Sequence, residues 1–433
     1  MIRGSSIKTL YESKGPSGFV RLIHQGLGLI DARGKRRYDR GGNPLLHELR
    51  SDPSTGRAAD RFRPDEFSLR DLAENTIGPD WAEQLAPDAM RRVMLSEERR
   101  PLVEAGTGAV MASAFANINA FTAVVAGLLE VSVLEGWQLP DFIADQLAPV
   151  ETTKMFDGRK VIGTSRIGDM AEERLPGMPT KRAQFGERWI TQPRTVENAL
   201  SCEVTQEAVF LDLTGEVLEQ ARSVGEWLGY RKELRVIDAF IGVTNTYSYK
   251  GTSYNTFQTA STWDNDFSNE LLHWTDIEEV EIKFRDMLDP ETSTRVLIRP
   301  NRMLVNREKL HTANAILGAT EVEYRDASTA ASNIRHFKNP VGGYGAPLES
   351  PLVYQRCTAS DGLALSASNA GKYWWVWEAG KYMKYAQNWP LRNQQAAPNQ
   401  LDMIDRGVVF YQKSDERGIP MIYEPRRVVR CKN

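Results

Sequence analysis

The chain has 433 residues, of which 41% are hydrophobic and 26% charged, and its formal net charge is -3. That composition suits a soluble globular protein with room for two or three domains, and excludes a disordered or fibrous chain. The small net charge gives no whole-chain bias towards nucleic acid or an anionic membrane.

Cys202, Cys357 and Cys431 lie far apart with no CxxC spacing, so they form neither a zinc motif nor a disulfide framework, which fits folding in a reducing compartment. The five histidines, His24, His47, His273, His311 and His336, are equally scattered. The N-terminus lacks the basic, apolar, small-residue pattern of a signal peptide, so secretion is not expected.

Residues 1 to about 75 are rich in Arg, Gly, Asp and Pro. Within the first fifty, Arg3, Lys8, Lys14, Arg21, Arg33, Lys35, Arg36, Arg37, Arg40 and Arg50 face only Glu12, Asp31, Asp39 and Glu48, and the tract Gly34 to Gly42 is densest. Two readings stand side by side: an arm that contacts nucleic acid or a neighbouring subunit, and a solvated, loosely structured tail.

From Ser68 the pattern turns helical, with Asp71 three residues on as a capping partner. Val110 to Trp137 is the most apolar stretch. Its length would allow a membrane span. Asn117, Asn119, Thr122, Glu130 and Ser132 interrupt it and no basic cluster flanks it, so a buried helix is expected. Leu139-Pro140 ends it.

Residues 150 to 200 read as two strands around a long polar tip, with a turn at Asp157-Gly158 and strand segments at Lys160 to Ile162 and Arg188 to Thr191. Such a hairpin is poorly stable alone. It makes sense lying on another molecule.

Glu203 to Gly242 reads as one long, mostly amphipathic helix around which the chain is organised. Val209, Leu213, Val217, Ala221, Val224 and Leu228 recur at helical spacing. Thr205 suits the N-cap, Gly229 a kink and Gly242 the C′ position. Asn245 to Trp263 reads as strand and loop, with a turn at Lys250-Gly251. Leu271 to Thr292 reads as a helix stopped by Asp289-Pro290.

In Arg295 to Ala319 the spacing predicts a strand at Val296 to Ile298, a break at Pro300 and a helix from Leu310 to Leu317 ended by Gly318. Pro340 to Tyr354 reads as loop, then strand. Tyr373, Trp375 and Trp377 alternate as on one strand face, which suits packing between sheet and helix better than a stacking platform. The last residues read as a hairpin around Arg417-Gly418.

Motifs for chemistry are sparse. There is no Walker loop and no HExxH. Gly26-x-Gly28 lacks the third glycine of a dinucleotide loop, and Gly163 to Gly168 misses nucleophile-elbow spacing by one residue. The acid clusters Glu203 with Glu207, and Glu278, Glu279 and Glu281, have helix-surface spacing and read as solvated or salt-bridged. No residue is nominated as catalytic, cofactor-binding or metal-binding. A site assembled from distant residues is the remaining enzymatic reading.

The order of parts resembles the major capsid protein of tailed bacteriophages, the HK97-like fold: basic N-terminal arm, long charged hairpin, long helix, mixed strands and helices, and a return to strands. The segment LIRPNRMLVNREKLHTANAIL is similar to a recurring stretch of that family. The resemblance implies an α+β fold divided into an N-terminal arm or extension (1–104), an apolar helix region (105–150), an extended E-loop hairpin (151–193), a peripheral domain with its spine helix (194–294), an axial domain (295–370) and a return to the peripheral domain (371–433).

It further implies a non-catalytic subunit that self-assembles through hexamers and pentamers into an icosahedral head around double-stranded DNA. Portal, scaffold and decoration proteins would be further partners, with no membrane and no cofactor. The location would be the virion, and the host cytoplasm during assembly. The long N-terminal region departs from the pattern, and no Lys–Asn crosslink pair can be assigned. The rival readings are an encapsulin-type nanocompartment shell and a soluble enzyme with a dispersed site, for instance a hydrolase.

The physical case beside the resemblance is that arm and hairpin expose surface which a lone subunit cannot bury and which neighbours would cover. Gly229, Gly342, Gly343 and Gly345 are candidate hinges for differing subunit curvature.

Overall fold

The computed structural model describes residues 4–31, 33–38, 42, 44–46, 62, 64, 67–77, 81, 108–139, 141–167, 176, 184–211, 216–259, 263–289, 295–325, 334–341, 343–396 and 406–432. It is an α+β protein. The elements in chain order are α1 (Gly4–Gly26), β1 (Arg37–Tyr38), β2 (Pro44–Leu45), α2 (Leu69–Thr76), α3 (Gly108–Trp137), α4 (Ala144–Leu147), β3 (Val150–Thr152), β4 (Lys160–Ile167), β5 (Gln184–Thr191) and β6 (Val196–Thr205). There follow α5 (Gln206–Leu211), α6 (Glu216–Ile241), β7 (Ser248–Tyr249), β8 (Thr252–Ser253), β9 (Asp266–Ser268), α7 (Trp274–Asp286), β10 (Arg302–Val305), α8 (Arg307–Gly318), β11 (Glu321–Arg325) and β12 (Ile334–Lys338). The last are α9 (Pro351–Thr358), α10 (Ala367–Ala370), β13 (Trp374–Trp377), β14 (Met383–Ala396), β15 (Val408–Ile422) and β16 (Val428–Lys432).

The chain forms two compact bodies, each with its own apolar core. The first takes Met1–Leu139, Glu197–Arg231 and Trp389–Arg417, and the second takes Pro140–Val196, Lys232–Asn388 and Gly418–Asn433. The six-part division implied by the resemblance is finer than this. Helix α6 and strands β14 and β15 contribute residues to both.

In the first body, the stretch expected as an arm or loose tail begins with a helix. Helix α1 is two helical pieces across a kink at Gly15 (φ 69°), with Pro16 next. Ile7, Phe19, Ile23, Leu27 and Leu29 are buried in the first body's core beside Leu69, Leu72 and residues of α3. Apolar residues at helical spacing outweigh the basic composition here: burying each is worth about 1.5–3 kcal/mol, whereas exposed lysines and arginines cost nothing on the outer face.

Ser68 caps α2, its hydroxyl accepting from Asp71 N–H at 3.3 Å. The helical pattern beyond Ile77 lies outside the described residues, apart from buried Trp81. Helix α3 contains Ala120–Trp137, a segment long and apolar enough to cross a membrane, yet 83% of it is buried within the protein. Its Glu130 is buried and held by Arg36 through two hydrogen bonds of 2.6 and 3.0 Å.

The stretch Glu203 to Gly242 is not one helix. Glu203, Val204 and Thr205 close strand β6, and the helix starts only at Gln206, with the Thr205 hydroxyl accepting from Ala208 N–H at 3.1 Å. Residues 212–215, Leu213 included, lie outside the described residues. Tertiary pairing explains the early boundary: β6 is the edge neighbour of β15, and Val204 is buried in the core.

The helical face is otherwise as the spacing predicts, with Val209, Val217, Ala221 and Leu228 buried and Val224 packed against them. Helix α6 passes through Gly229 unbroken. Gly242 (φ 89°) closes it, with Val243 and Thr244 N–H both donating to Asp238 C=O.

The second body is built on the sheet β10-β13-β16-β9. Strand β13 pairs antiparallel with β10 (Met303↔Val376) and with β16 (Val376↔Val429), while β9 joins β16 in parallel. Trp374, Trp375, Val376 and Trp377 are all 0% exposed. Both faces of β13 are therefore covered, so the aromatic run packs and offers no stacking platform.

Four further expectations are corrected here. The strand placed at Val296 to Ile298 lies instead after Pro300, at β10, whose Met303, Leu304 and Val305 are fully buried; Leu297 is 92% exposed. The helix placed over Leu271 to Thr292 is confined to Trp274–Asp286, because Asp276 captures the N–H groups of Leu272 and His273 at 2.6 Å each and fixes the start there. The strand expected before Tyr354 is helix α9, begun by the Ser350 cap and Pro351.

There is also no hairpin at Arg417-Gly418, since β15 runs straight through. A Cβ at Gly418 would stand 2.4 Å from the Tyr385 ring, so this glycine makes room rather than a turn. The turn predicted at Lys250-Gly251 does form, with both residues at positive φ (48° and 86°), joining β7 and β8.

Candidate assembly surfaces

The hairpin read from residues 150 to 200 is present. Strands β4 and β5 pair antiparallel in unbroken register from Lys160↔Thr191 to Ile167↔Gln184. Its tip, residues 168–183, lies outside the described residues save Pro176. Gly158, at φ 68°, turns the chain into β4, and mutual backbone bonds close the base: Gln192 N–H to Arg159 C=O at 2.8 Å and Gly158 N–H to Gln192 C=O at 3.2 Å.

The root of the hairpin is tied to the second body by charge. Arg188 of β5 pairs with Glu424, and with Asp289 at 3.5 Å. Arg159 donates to Glu151 at 2.8 Å, and Lys384 and the Tyr423 hydroxyl donate to the same carboxylate at 3.0 and 2.7 Å. Burial by itself would raise the pKa of Glu151, but these three donors hold it below the usual carboxylate range. The Lys160 ammonium lies 4.4 Å from the centre of the Trp189 ring. Ile190 is buried opposite Tyr249 of β7. Ile162, which pairs with Trp189 between the base and the Gly163↔Arg188 pair, is 74% exposed. The arrangement is an anchored base that carries a two-stranded ribbon with exposed apolar surface, as a subunit contact requires.

Other apolar side chains left in the open include Leu211 and Trp227 in the first body, and Leu272, Leu288 and Leu297 in the second. Of the basic residues singled out near the N-terminus, Lys8, Lys14, Arg21, Arg33, Lys35 and Arg37 are exposed, whereas Arg36 is paired with Glu130. Arg3, Arg40 and Arg50 lie outside the described residues.

Among the described residues no group of three His, Cys, Asp or Glu side chains is placed to hold a metal ion. The cysteines are free thiols, and burial pushes Cys357 up to about 12, far from a reactive thiolate. Glu278, Glu279 and Glu281 lie on α7 at the surface, and Glu281 accepts from the Tyr344 hydroxyl at 2.9 Å. Sequence reasoning missed the ion pairs at the hairpin root, because Arg188, Asp289 and Glu424 are far apart along the chain.

A family model described as phage capsid protein matches residues 191–410, just over half of the chain. The chain belongs to the phage capsid protein family. It is thus a shell protein that assembles with copies of itself, and the virion is its place, as the sequence resemblance implied. The match begins at the last residue of β5 and so takes in the long helix α6 and most of the second body's core.

No curated protein matches. Solved structures with a similar arrangement include a chain of Gordonia phage Cozz (9% identity, TM-score 0.41, covering 67% of this chain and 86% of that one). The capsid of cyanophage P-SCSP1u (10%, 0.39, 67% and 88%) and the holo-SrpI encapsulin complex of Synechococcus elongatus (10%, 0.36, 66% and 85%) are further examples. At these TM-scores they decide nothing about this chain, and the assignment rests on the family match.

Proposed function

We propose that this chain is the major capsid protein of a tailed bacteriophage, built on the HK97-like plan and closing into an icosahedral head around double-stranded DNA. Hairpin β4–β5 is the extended loop that lies on a neighbouring subunit, and α6 is the spine of the peripheral domain. The region 295–370 forms the axial domain. The exposed lysines and arginines before residue 38 lie towards the packaged DNA. Portal, scaffold and decoration proteins are the further partners, assembly takes place in the host cytoplasm, and the subunit carries out no catalysis.

The observation that carries this reading, beside the family match, is the hairpin: a ribbon anchored by Arg188, Arg159 and Glu151 that leaves Ile162 bare. A shell subunit completes its burial with such an element when it lies on a neighbour.

The test is to express the full chain and examine it by electron microscopy and sedimentation. Closed shells, or capsomers that close with a scaffold, are expected. A monodisperse small oligomer under all conditions would overturn the reading. Absorbance of purified particles at 260 and 280 nm separates a nucleic-acid container from an encapsulin-type protein container.

A further inference from the structure

The sequence reads as a strand at Val296 to Ile298, and the structure leaves that stretch outside every sheet. It nevertheless keeps the form of a strand. From Arg295 to Asn301 the residues alternate strictly between exposed and half-buried, with no turn or bend, which is the period of a strand. Ile298 packs on the second body's core, while Leu297 on the outer face is 92% exposed. Both ends are fixed. Arg295 bridges antiparallel to Leu288, Val296 N–H donates to Met287 C=O at 3.0 Å, and Asn301 N–H donates to Trp377 C=O at 3.1 Å. Between these anchors the backbone groups of Leu297, Ile298 and Arg299 have no hydrogen-bond partner among the described residues. Val296 points its N–H inward to Met287, so strand alternation turns the N–H and C=O of Leu297 and Arg299 to the opposite, open edge.

The outer face is apolar between two cations. Arg295, Leu297 and Arg299 stand at alternate positions, and Leu288, also exposed, is paired to Arg295. Asp286 is shared between Arg295 at 3.5 Å and Arg285 at 3.2 Å. Arg299 is exposed and has no acidic partner among the described residues.

We propose that this segment is a docking edge for an acidic strand of a separate protein. The strand adds through backbone hydrogen bonds to Leu297 and Arg299, and carries acid, apolar and acid side chains opposite Arg299, Leu297 and Arg295. Backbone pairing gives the attachment and alternate side chains give the selectivity. An extended edge held at both ends is already ordered, so it loses little freedom on binding. A second copy of this chain does not fit: among the described residues, no open-edged strand carries acid, apolar and acid at alternate positions. Duplex DNA would suit the arginines but leave Leu297 and Leu288 against phosphate. The inference goes beyond the shell reading and is read on the unassembled chain, so either can fail without the other.

The probe is the peptide TETVTET with benzoylphenylalanine in place of its valine. The full chain, before assembly, is irradiated with millimolar peptide, and adducts are located by mass spectrometry after digestion. Labelling is expected on residues 295–299, at least about tenfold above that by the lysine counterpart TKTVTKT. Arg295→Glu/Arg299→Glu should invert the preference between the two peptides, and Leu297→Ser should weaken labelling by TETVTET about fivefold or more. Circular dichroism checks that each variant is folded. Where the double variant does not fold, Arg299→Glu alone should narrow the preference, since that side chain holds no partner to lose. Labelling elsewhere, or equal labelling by both peptides, would overturn the inference.

Two controls decide the class of partner. Displacement of the peptide by duplex DNA of equal charge concentration would make phosphate the ligand and overturn the proposal. Chains carrying Leu297→benzoylphenylalanine are also irradiated without peptide, both free and in whatever particles they form. A covalent dimer would give the edge to a second copy and overturn the choice of partner; its absence, with TETVTET labelling in place, supports a separate protein.

Discussion

Gly225 of α6 and Gly136 of α3 bring two helix backbones into direct contact. A Cβ at Gly225 would stand 2.1 Å from the carbonyl oxygen of Val133 and 2.8 Å from its carbonyl carbon. A Cβ at Gly136 would stand 2.2 Å from the carbonyl oxygen of Arg222. Every close atom at Gly225 is backbone, so no side chain can rotate away. The Gly225→Ala contact falls 0.9 Å short of the 3.0 Å below which real Cβ atoms essentially never come, and the helices must part by about that much.

Overpacking of this kind costs about 1–3 kcal/mol. Better helix propensity returns up to about 1 kcal/mol. The net expectation is a loss of about 1–2 kcal/mol, read by urea unfolding of the unassembled chain. Gly318→Ala is the control, since a Cβ there meets nothing within 4 Å. It should be neutral, or stabilising by about 0.4–1 kcal/mol. Once the helices have parted for Gly225→Ala, adding Gly136→Ala should cost less than it does alone. A Gly225→Ala chain as stable as its parent would refute the backbone-to-backbone contact.

Three further outcomes are expected. Arg36→Met strands the buried Glu130 carboxylate and should cost about 1–3 kcal/mol, while adding Glu130→Leu recovers much of the loss, both seen in urea midpoints; equal stability of Arg36→Met and parent would contradict the pairing. The folded-state pKa of Glu151 lies below its ordinary 4.5, so its contribution is present above that value and fades as the pH falls through the lowered one. Glu151→Gln should therefore flatten this part of the melting temperature's decline below about pH 4.5, and an unchanged acid profile would show that the hairpin-root cluster does not stabilise the fold. Ser350→Ala removes the hydroxyl that accepts from Leu352 N–H and should cost about 1 kcal/mol in the same unfolding assay; no loss would mean that Pro351 alone sets the start of α9.

Local signals carried much of this fold. The capping pair Ser68 and Asp71, the turn at Lys250-Gly251, the C′ glycine Gly242, the apolar run of α3 and the strand pair on either side of 168–183 are each written within a few neighbouring residues. The buried stripe from Val209 to Leu228 is legible for the same reason, because helical spacing alone places those side chains on one face.

What went unread depended on partners remote in the chain. Val204 was drawn into a strand by the sheet of β14 and β15, and β10 formed after Pro300 because β13 stands ready to pair there. Gly418 looked like a turn until Tyr385 was found filling the space of its missing side chain. The hairpin root and the backbone contact at Gly136 and Gly225 are likewise meetings of distant segments. Local conformational preference is a property of a few residues and their spacing. Burial and pairing depend on which surfaces the rest of the chain delivers to them, and only the folded structure holds that.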